Sequence, residues 1–282
     1  MPDATFQGEI LNQALPYIQK FQGATFVIKY GGSAMRDPRH LRTLTRNVLM
    51  LQLVGIKPIL VHGGGPEIDK WLQKLGIPKQ TVGGLRVTDD ATMEVVEMAL
   101  GRANKSLVSE IQQAGGQAVG VSGRDGNLLV AEPVSEELGR VGSVVQVNPG
   151  ILGTLLDGGF VPVVCSVGTD AEGNAMNVNA DAAASAIAGA LHATKLVLML
   201  DTDGVLSDRN DPSSLITRLS AAQARQLIAN GKASDGMIPK LEAALEALDD
   251  GVGGVHLLNG KTPNALLIEV FTDAGIGTMM TR

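Results

Sequence analysis

A single cysteine, Cys165, is all that the 282 residues contain, so no disulfide can form within the chain, and a reducing cytoplasm is the expected setting. Cys165 lies inside the apolar stretch "FVPVVCSVG", which reads as a buried structural thiol and not as a nucleophile. No apolar run reaches the roughly 18 residues of a membrane span. The opening "MPDATFQGEI" lacks a basic start followed by an apolar stretch, so neither a membrane nor a signal peptide is expected. Aromatics make up only 3% and the net charge is −6, a poor composition for a nucleic-acid surface. The histidines His62, His192 and His256 have no G-x-S-x-G partner, and no H-E-x-x-H or C-x-x-C pattern suggests zinc. A Walker loop and a G-x-G-x-x-G fingerprint are both missing. The "NKS" at Asn104 fits a glycosylation pattern, which has no meaning without secretion.

What the chain does have is 44% hydrophobic residues, enough for one large core or two lobes. Short β-branched runs such as "TFVIKY", "KPILVHG", "FVPVVCSVG" and "KLVLML" alternate with segments of helical spacing. Ile68, Trp71, Leu72 and Leu75 follow one helical face, and Met93, Val96, Leu100, Ala103, Leu107 and Ile111 follow another. Such alternation predicts an α/β sandwich with a mainly parallel central sheet. One compact unit with two lobes meeting near residue 175 is expected. Residues 1–23 stand apart: "EILNQALPYIQKF" places Ile10, Leu11, Leu15 and Ile18 on one side, interrupted by Pro16. They predict either a helix packed on its own domain or an arm docked on another subunit.

Two buried strands end in glycines, at "FVIKYGGS" and "ILVHGGGPE". Pro66 suits the first turn of a helix, and Glu67 is favoured there by the helix dipole. Gly63, Gly64 and Gly65 then stand between a strand end and a helix start, where bare N–H groups can meet an anion. A tight turn alone would need one glycine, not three.

Charged residues in apolar surroundings narrow the chemistry. Lys29 sits in an otherwise apolar strand, which is costly unless its charge is used. Arg86 in "VGGLRVTD" could grip a carboxylate with both arms of its guanidinium. Asn177, Asn179 and Asp181 precede a helix of small residues, and N-capping explains one of the three. Lys240 in "GMIPK" opposes the dipole of its own helix, so a local anion would relieve it. Asp201, Asp203 and Gly204 follow "KLVLML", at a strand end where α/β sheets bind ligands, although an ordinary Asp-Gly turn looks the same. Two lysines, an aspartate, asparagines and glycine amides suit phosphoryl transfer, which needs positioning and charge neutralisation above all.

The ordered set "VIKYGG", "LVHGGGPEID", "GLRVTD", "NVNAD", "DTDGVL", "GMIPK" and "FTDAGIGTMM" resembles the N-acetyl-L-glutamate kinases of the amino acid kinase family over essentially the whole chain. The resemblance implies a three-layer αβα sandwich, with residues 24–175 as a lobe for the amino-acid substrate and dimerisation and 176–282 as the ATP lobe. Lys29 and Lys240 would contact the phosphates, Asp181 would orient both lysines, and Gly32 and Gly64 would donate N–H groups to the phosphoryl group. Gly64, Gly65, Arg86 and Asn177 would hold N-acetyl-L-glutamate. Its γ-carboxylate would attack MgATP, the Mg2+ being carried without protein ligands, in the second step of arginine biosynthesis. Members of this family with a similar N-terminal helix are ring hexamers, trimers of dimers, inhibited by L-arginine. The matching effector positions are Tyr17, Lys195, His256, Glu269 and Gly275. In some photosynthetic lineages such kinases also bind a PII-type nitrogen-signalling protein, which makes one a further candidate partner. Leu200 and Asn264 depart from the family pattern, where threonine and histidine are usual. The alternatives are a kinase for N-acetylaminoadipate and a non-catalytic arginine-sensing domain of the same fold.

Overall fold

The computed structural model describes residues 4–32, 35, 37–208, 210–234, 236–273 and 275–282. In chain order the helices are α1 (Ala4–Phe21), α2 (Pro38–Leu53), α3 (Gly65–Leu75), α4 (Asp90–Gln113), α5 (Gly150–Asp157), α6 (Ala180–Ala190), α7 (Ala221–Ala229), α8 (Ile238–Asp249) and α9 (Ala265–Phe271). The strands are β1 (Thr25–Tyr30), β2 (Lys57–His62), β3 (Thr81–Val82), β4 (Leu85–Arg86), β5 (Ala118–Ser122), β6 (Leu129–Pro133) and β7 (Val141–Val147). They continue with β8 (Val161–Cys165), β9 (Val167–Thr169), β10 (Ala175–Val178), β11 (Lys195–Leu200), β12 (Arg218–Ser220), β13 (Val255–Asn259) and β14 (Thr278–Thr281).

Eight strands form the central sheet in the order β12-β14-β13-β11-β1-β2-β8-β5. Every pairing in it is parallel except that of β13 with β14. β1 lies in the middle, between β2 and β11, so the first and second halves of the chain share one sheet. Side chains of a strand alternate between faces, and β1 divides its residues accordingly. Phe26, Ile28 and Tyr30 join Leu44, Val48 and Leu51 of α2, Leu107 and Ile111 of α4, and Leu266 of α9. Val27 joins the opposite core with Ala183, Ala184 and Ile187 of α6 and Leu241, Leu245 and Leu248 of α8. Helices therefore cover both faces, giving the expected three layers.

The strands β6, β7, β9 and β10 do not enter this sheet; they close into a small barrel. The connection from Pro133 to Val141 is too short for a parallel crossover, which takes a dozen or more residues, so β6 and β7 pair antiparallel. "FVPVVCSVG" breaks at Ser166 into β8 of the sheet and β9 of the barrel.

α1 runs unbroken through Pro16. Ala14, Tyr17 and Ile18 pack against the Phe21, Val270 and Phe271 cluster, whereas Leu15 is exposed. The side chains of Ile10 and Leu11 lie outside the described part. Asn264 adopts φ +58° just before α9 and accepts a hydrogen bond from Asn47 Nδ2 at 3.1 Å. Asparagine tolerates this left-handed conformation.

Candidate active site

Lys29 falls on the Val27 side of β1, facing the start of α6, and is buried. Its Nζ is 2.8 Å from Asp181 Oδ1, and Lys240 Nζ is 3.7 Å from Asp181 Oδ2. A buried ammonium group is tolerable because this carboxylate faces it. A Cβ on Gly31 would stand 3.1 Å from Lys29 Nζ, so the first glycine of the pair leaves room for the ammonium.

Asp181 and Lys240 meet because of how their helices pack. Asn179 caps α6, its Oδ1 accepting from the amides of Asp181 at 2.8 Å and Ala182 at 3.3 Å. The small residues of α6 let α8 come close: Ser185 Oγ donates to the Ala243 carbonyl at 2.7 Å, and a Cβ on Gly189 would be 2.7 Å from Asp250 Cβ. The first turns of the two helices thus stand side by side. Lys240 Nζ also donates to the Gly236 carbonyl at 3.1 Å.

Opposite lies the start of α3. Gly64 has φ −179°, open to any residue, and what demands glycine is space, since a Cβ would be 2.5 Å from Leu100 Cδ2. The first amides of a helix have no partner within it, and the dipole favours an anion there. Pro66 and Glu67 fall in that first turn.

The other end of the cleft carries a guanidinium group. Arg86 on β4 donates through Nη2 to Asp69 Oδ1 and to the Gly65 carbonyl, while its buried Nη1 has no partner among the described residues. Burial pushes the Asp69 carboxyl up, but the hydrogen bonds from Arg86 and Lys79 outweigh it and hold the group below its ordinary range. Asn177 Nδ2 donates to Thr88 Oγ1 at 3.0 Å, and Thr88 Oγ1 donates to the Arg86 carbonyl at 2.9 Å. Lys29, Gly31, Gly32, Gly64, Gly65, Arg86, Asn177 and Asp181 all line one cleft of about 290 Å3. A larger hollow of about 610 Å3 lies beyond Gly64 and Pro66, among α2, α3 and α4, and neither Lys29 nor Lys240 lines it.

Asp201, Asp203 and Gly204 do not line the cleft but adjoin it. Gly32 has φ +69°, and a Cβ there would be 2.8 Å from Asp201 Oδ2. Lys261 Nζ is 3.4 Å from Asp201 Oδ1, and Asn259 Nδ2 donates to Asp203 Oδ1 at 2.8 Å. Gly204 has φ +148° and packs where a Cβ would be 2.6 Å from Thr278 Oγ1. Leu200, just before this loop, is buried in β11.

A second cluster gathers where α1 meets α9. His256 Nδ1 is 2.7 Å from Glu269 Oε1, and His256 Nε2 contacts Lys195 Nζ. Glu269 Oε2 accepts from the Ile276 amide at 2.9 Å, and Gly275 turns with φ +51° beside that carboxylate. Tyr17 donates its hydroxyl to Asp273, which raises the phenol above its ordinary range. Burial lowers Lys195 to about 8 and also lowers His256. Lys195 is in register with Phe26, three positions before Lys29, roughly 10 Å along the sheet.

Asp69, Thr88, Lys261 and Asn104 escape a reading of the sequence. Asp69 and Thr88 stand inside the quoted motifs "GGGPEID" and "GLRVTD", but what they bond to depends on the tertiary fold.

Acid should destabilise the fold through His62. Burial lowers this fully enclosed imidazole to about 4, so between its unfolded value near 6.5 and pH 4 the unfolded chain binds the extra proton. Its contribution is complete above pH 6.5 and is lost as pH falls toward 4, by roughly 3 kcal/mol. Thermal midpoints measured from pH 7 down to pH 4.5 should fall, and His62→Asn should flatten the dependence.

The amino acid kinase family is matched over residues 24–259. The acetylglutamate kinase of Acaryochloris marina is 53% identical over 100% of both chains. N-acetylglutamate synthase from Neisseria gonorrhoeae, solved with coenzyme A and N-acetyl-glutamate, superposes with TM-score 0.86 at 27% identity, covering 97% of this chain. The same synthase with coenzyme A and L-arginine gives TM-score 0.82 at 26% identity, again covering 97% of this chain. This chain spans 63% of the synthase's length in the first structure and 65% in the second. With a buried lysine–aspartate pair beside a glycine-ended strand, a half-buried second lysine on the same aspartate, and matches running along its length, the chain belongs to the amino acid kinase family.

Proposed function

We propose that this kinase transfers the γ-phosphoryl group of MgATP to the γ-carboxylate of N-acetyl-L-glutamate, giving N-acetyl-L-glutamyl 5-phosphate and ADP in arginine biosynthesis. The observation that carries this reading is a single cleft with Lys29 and Asp181 at one end, Lys240 reaching the same aspartate, and at the other end a guanidinium nitrogen with no partner among the described residues. Arg86 Nη1 and Asn177 bind the α-carboxylate, which leaves the side-chain carboxylate directed toward Lys29 and Lys240. A carboxylate oxygen forms the new bond to phosphorus as the bond to the ADP oxygen breaks. No proton moves, so no general base is needed. The lysines and the amides of Gly32 and Gly64 receive charge from the phosphoryl oxygens. Both Asp181 oxygens face ammonium groups, so this carboxylate serves the lysines and Mg2+ travels with the nucleotide's phosphates, adding its charge there. Residues 24–175 form the acid lobe and 176–282 the nucleotide lobe. A coupled ADP-release assay tests the reading; no ADP with acetylglutamate, while N-acetylaminoadipate is phosphorylated, overturns it.

The same proposal extends to feedback by L-arginine in a hexamer built through residues 1–23. It is supported by the convergence of Tyr17, Lys195, His256, Glu269 and Gly275, and by the structural likeness to a synthase solved with arginine. Glu269 offers a carboxylate for a guanidinium. Arginine should lower turnover, and Glu269→Ala should remove that response while sparing basal activity. Removing residues 1–23 should reduce the mass of the assembly to that of a dimer. An intact chain that is itself dimeric refutes the arm.

A further inference from the structure

The peptide unit joining Gly63 to Gly64 carries two groups pointing opposite ways, the Gly63 carbonyl and the Gly64 N–H. Between two glycines such a unit can flip at little steric cost, because neither residue has a Cβ to resist it. An N–H that stabilises a transferring phosphoryl group must not flip, since misdirection forfeits the donor. Something must hold the carbonyl side.

His62 does so. Its Nδ1 is 2.8 Å from the Gly63 carbonyl oxygen, and its Nε2 is 3.2 Å from Asn104 Nδ2. Asn104, buried on α4, also directs Nδ2 to the carbonyls of Val163 at 2.8 Å and Val121 at 3.3 Å. The 2.8 Å bond to the Val163 carbonyl fixes which end of the carboxamide is the nitrogen and uses one of its two N–H groups, so the other, shared with the more distant Val121 carbonyl, is the donor that His62 meets. His62 Nε2 must then carry the lone pair, which puts the proton on Nδ1, where it donates to Gly63. Burial keeps the ring neutral, at about 4. β5 is shaped to this arrangement, since a Cβ on Gly120 would stand 1.9 Å from Asn104 Oδ1.

We propose that Asn104 and His62 are positioning residues for phosphoryl transfer, a relay that locks the Gly63–Gly64 peptide with the Gly64 N–H facing the cleft. The inference rests on reading that cleft as the transfer site. The relay links β5 and β8, through α4, to a single backbone donor. His62 touches no substrate and transfers no proton.

Steady-state kinetics of full-length His62→Asn and His62→Gln test the relay, beside thermal midpoints and active-site titration. Asparagine puts an N–H near the Nδ1 position, whereas glutamine mimics Nε2. His62→Asn should keep kcat within a few-fold, and His62→Gln should lose roughly ten- to hundredfold in kcat with KM for both substrates unchanged. Equal losses in the two variants, or losses confined to KM or to the titrated fraction of active enzyme, overturn it. Nitrogen-15 NMR of wild-type histidines at pH 7 provides a measurement that needs neither variant folding nor turnover. A neutral His62 protonated on Nδ1 is expected, and an Nε2–H tautomer overturns the relay. Wild-type protein that releases no ADP from MgATP and acetylglutamate, yet shows the Nδ1–H tautomer, would overturn the transfer role and leave the cleft reading at fault.

Discussion

Lys29→Ala should lower kcat roughly a thousandfold, with KM for acetylglutamate changed only a few-fold. Charge on the phosphoryl oxygens grows as the bond to ADP lengthens, so a preorganised ammonium stabilises the transition state more than the bound substrates. Lys29 is preorganised by its 2.8 Å pair with Asp181, on a strand buried on both faces. Lys29→Arg should not restore activity, because a planar guanidinium cannot occupy the space above Gly31 that holds an ammonium. Lys29→Ala also leaves a buried carboxylate with only Lys240 at 3.7 Å, and stability should fall by up to about 3 kcal/mol. Turnover must therefore be measured where circular dichroism reports a folded protein. Unchanged kcat in that range would remove Lys29 from the chemistry.

Arg86→Ala should raise KM for acetylglutamate by about a hundredfold and leave kcat and KM for ATP within a few-fold. On the proposed reading Nη1, which has no partner among the described residues, takes the carboxylate, since Nη2 is already committed to Asp69. Binding lost equally from ground and transition states appears in KM alone. Arg86→Lys should fail as well, since one ammonium cannot serve Asp69 and a ligand from the same place. A selective fall in kcat would mean that Arg86 acts on the phosphoryl group instead.

Much of the fold is legible in the sequence because buried parallel strands are written as short, nearly continuous apolar runs. "TFVIKY", "KPILVHG" and "KLVLML" are the three central strands of the sheet. The barrel is not legible in the same way. β9 and β10 are three and four residues long, and β10 is the brief "AMNV" that leads into α6, too short to show a period. Lys29 and Asp181 can be singled out separately, each being a charge in apolar company. Their meeting cannot, because it depends on the close approach of α6 to α8 and on the register of β1. Asn104 is the sharpest case. In the sequence it is one polar residue in a helix, and only the fold brings two strand carbonyls and His62 to its amide.

β10 and α6 follow each other with only Asn179 between them, so Asn177 at the acid end and Asp181 at the lysine end ride on one short stretch of backbone. On the proposed reading that stretch works as a caliper, setting the distance between the two carboxylates of an acceptable molecule. An acid longer by one methylene would overshoot the jaws, with a penalty of roughly ten- to two-hundredfold in kcat/KM. Selectivity for chain length would then come from the spacing of two side chains on a single segment, with no wall needed to exclude the larger molecule.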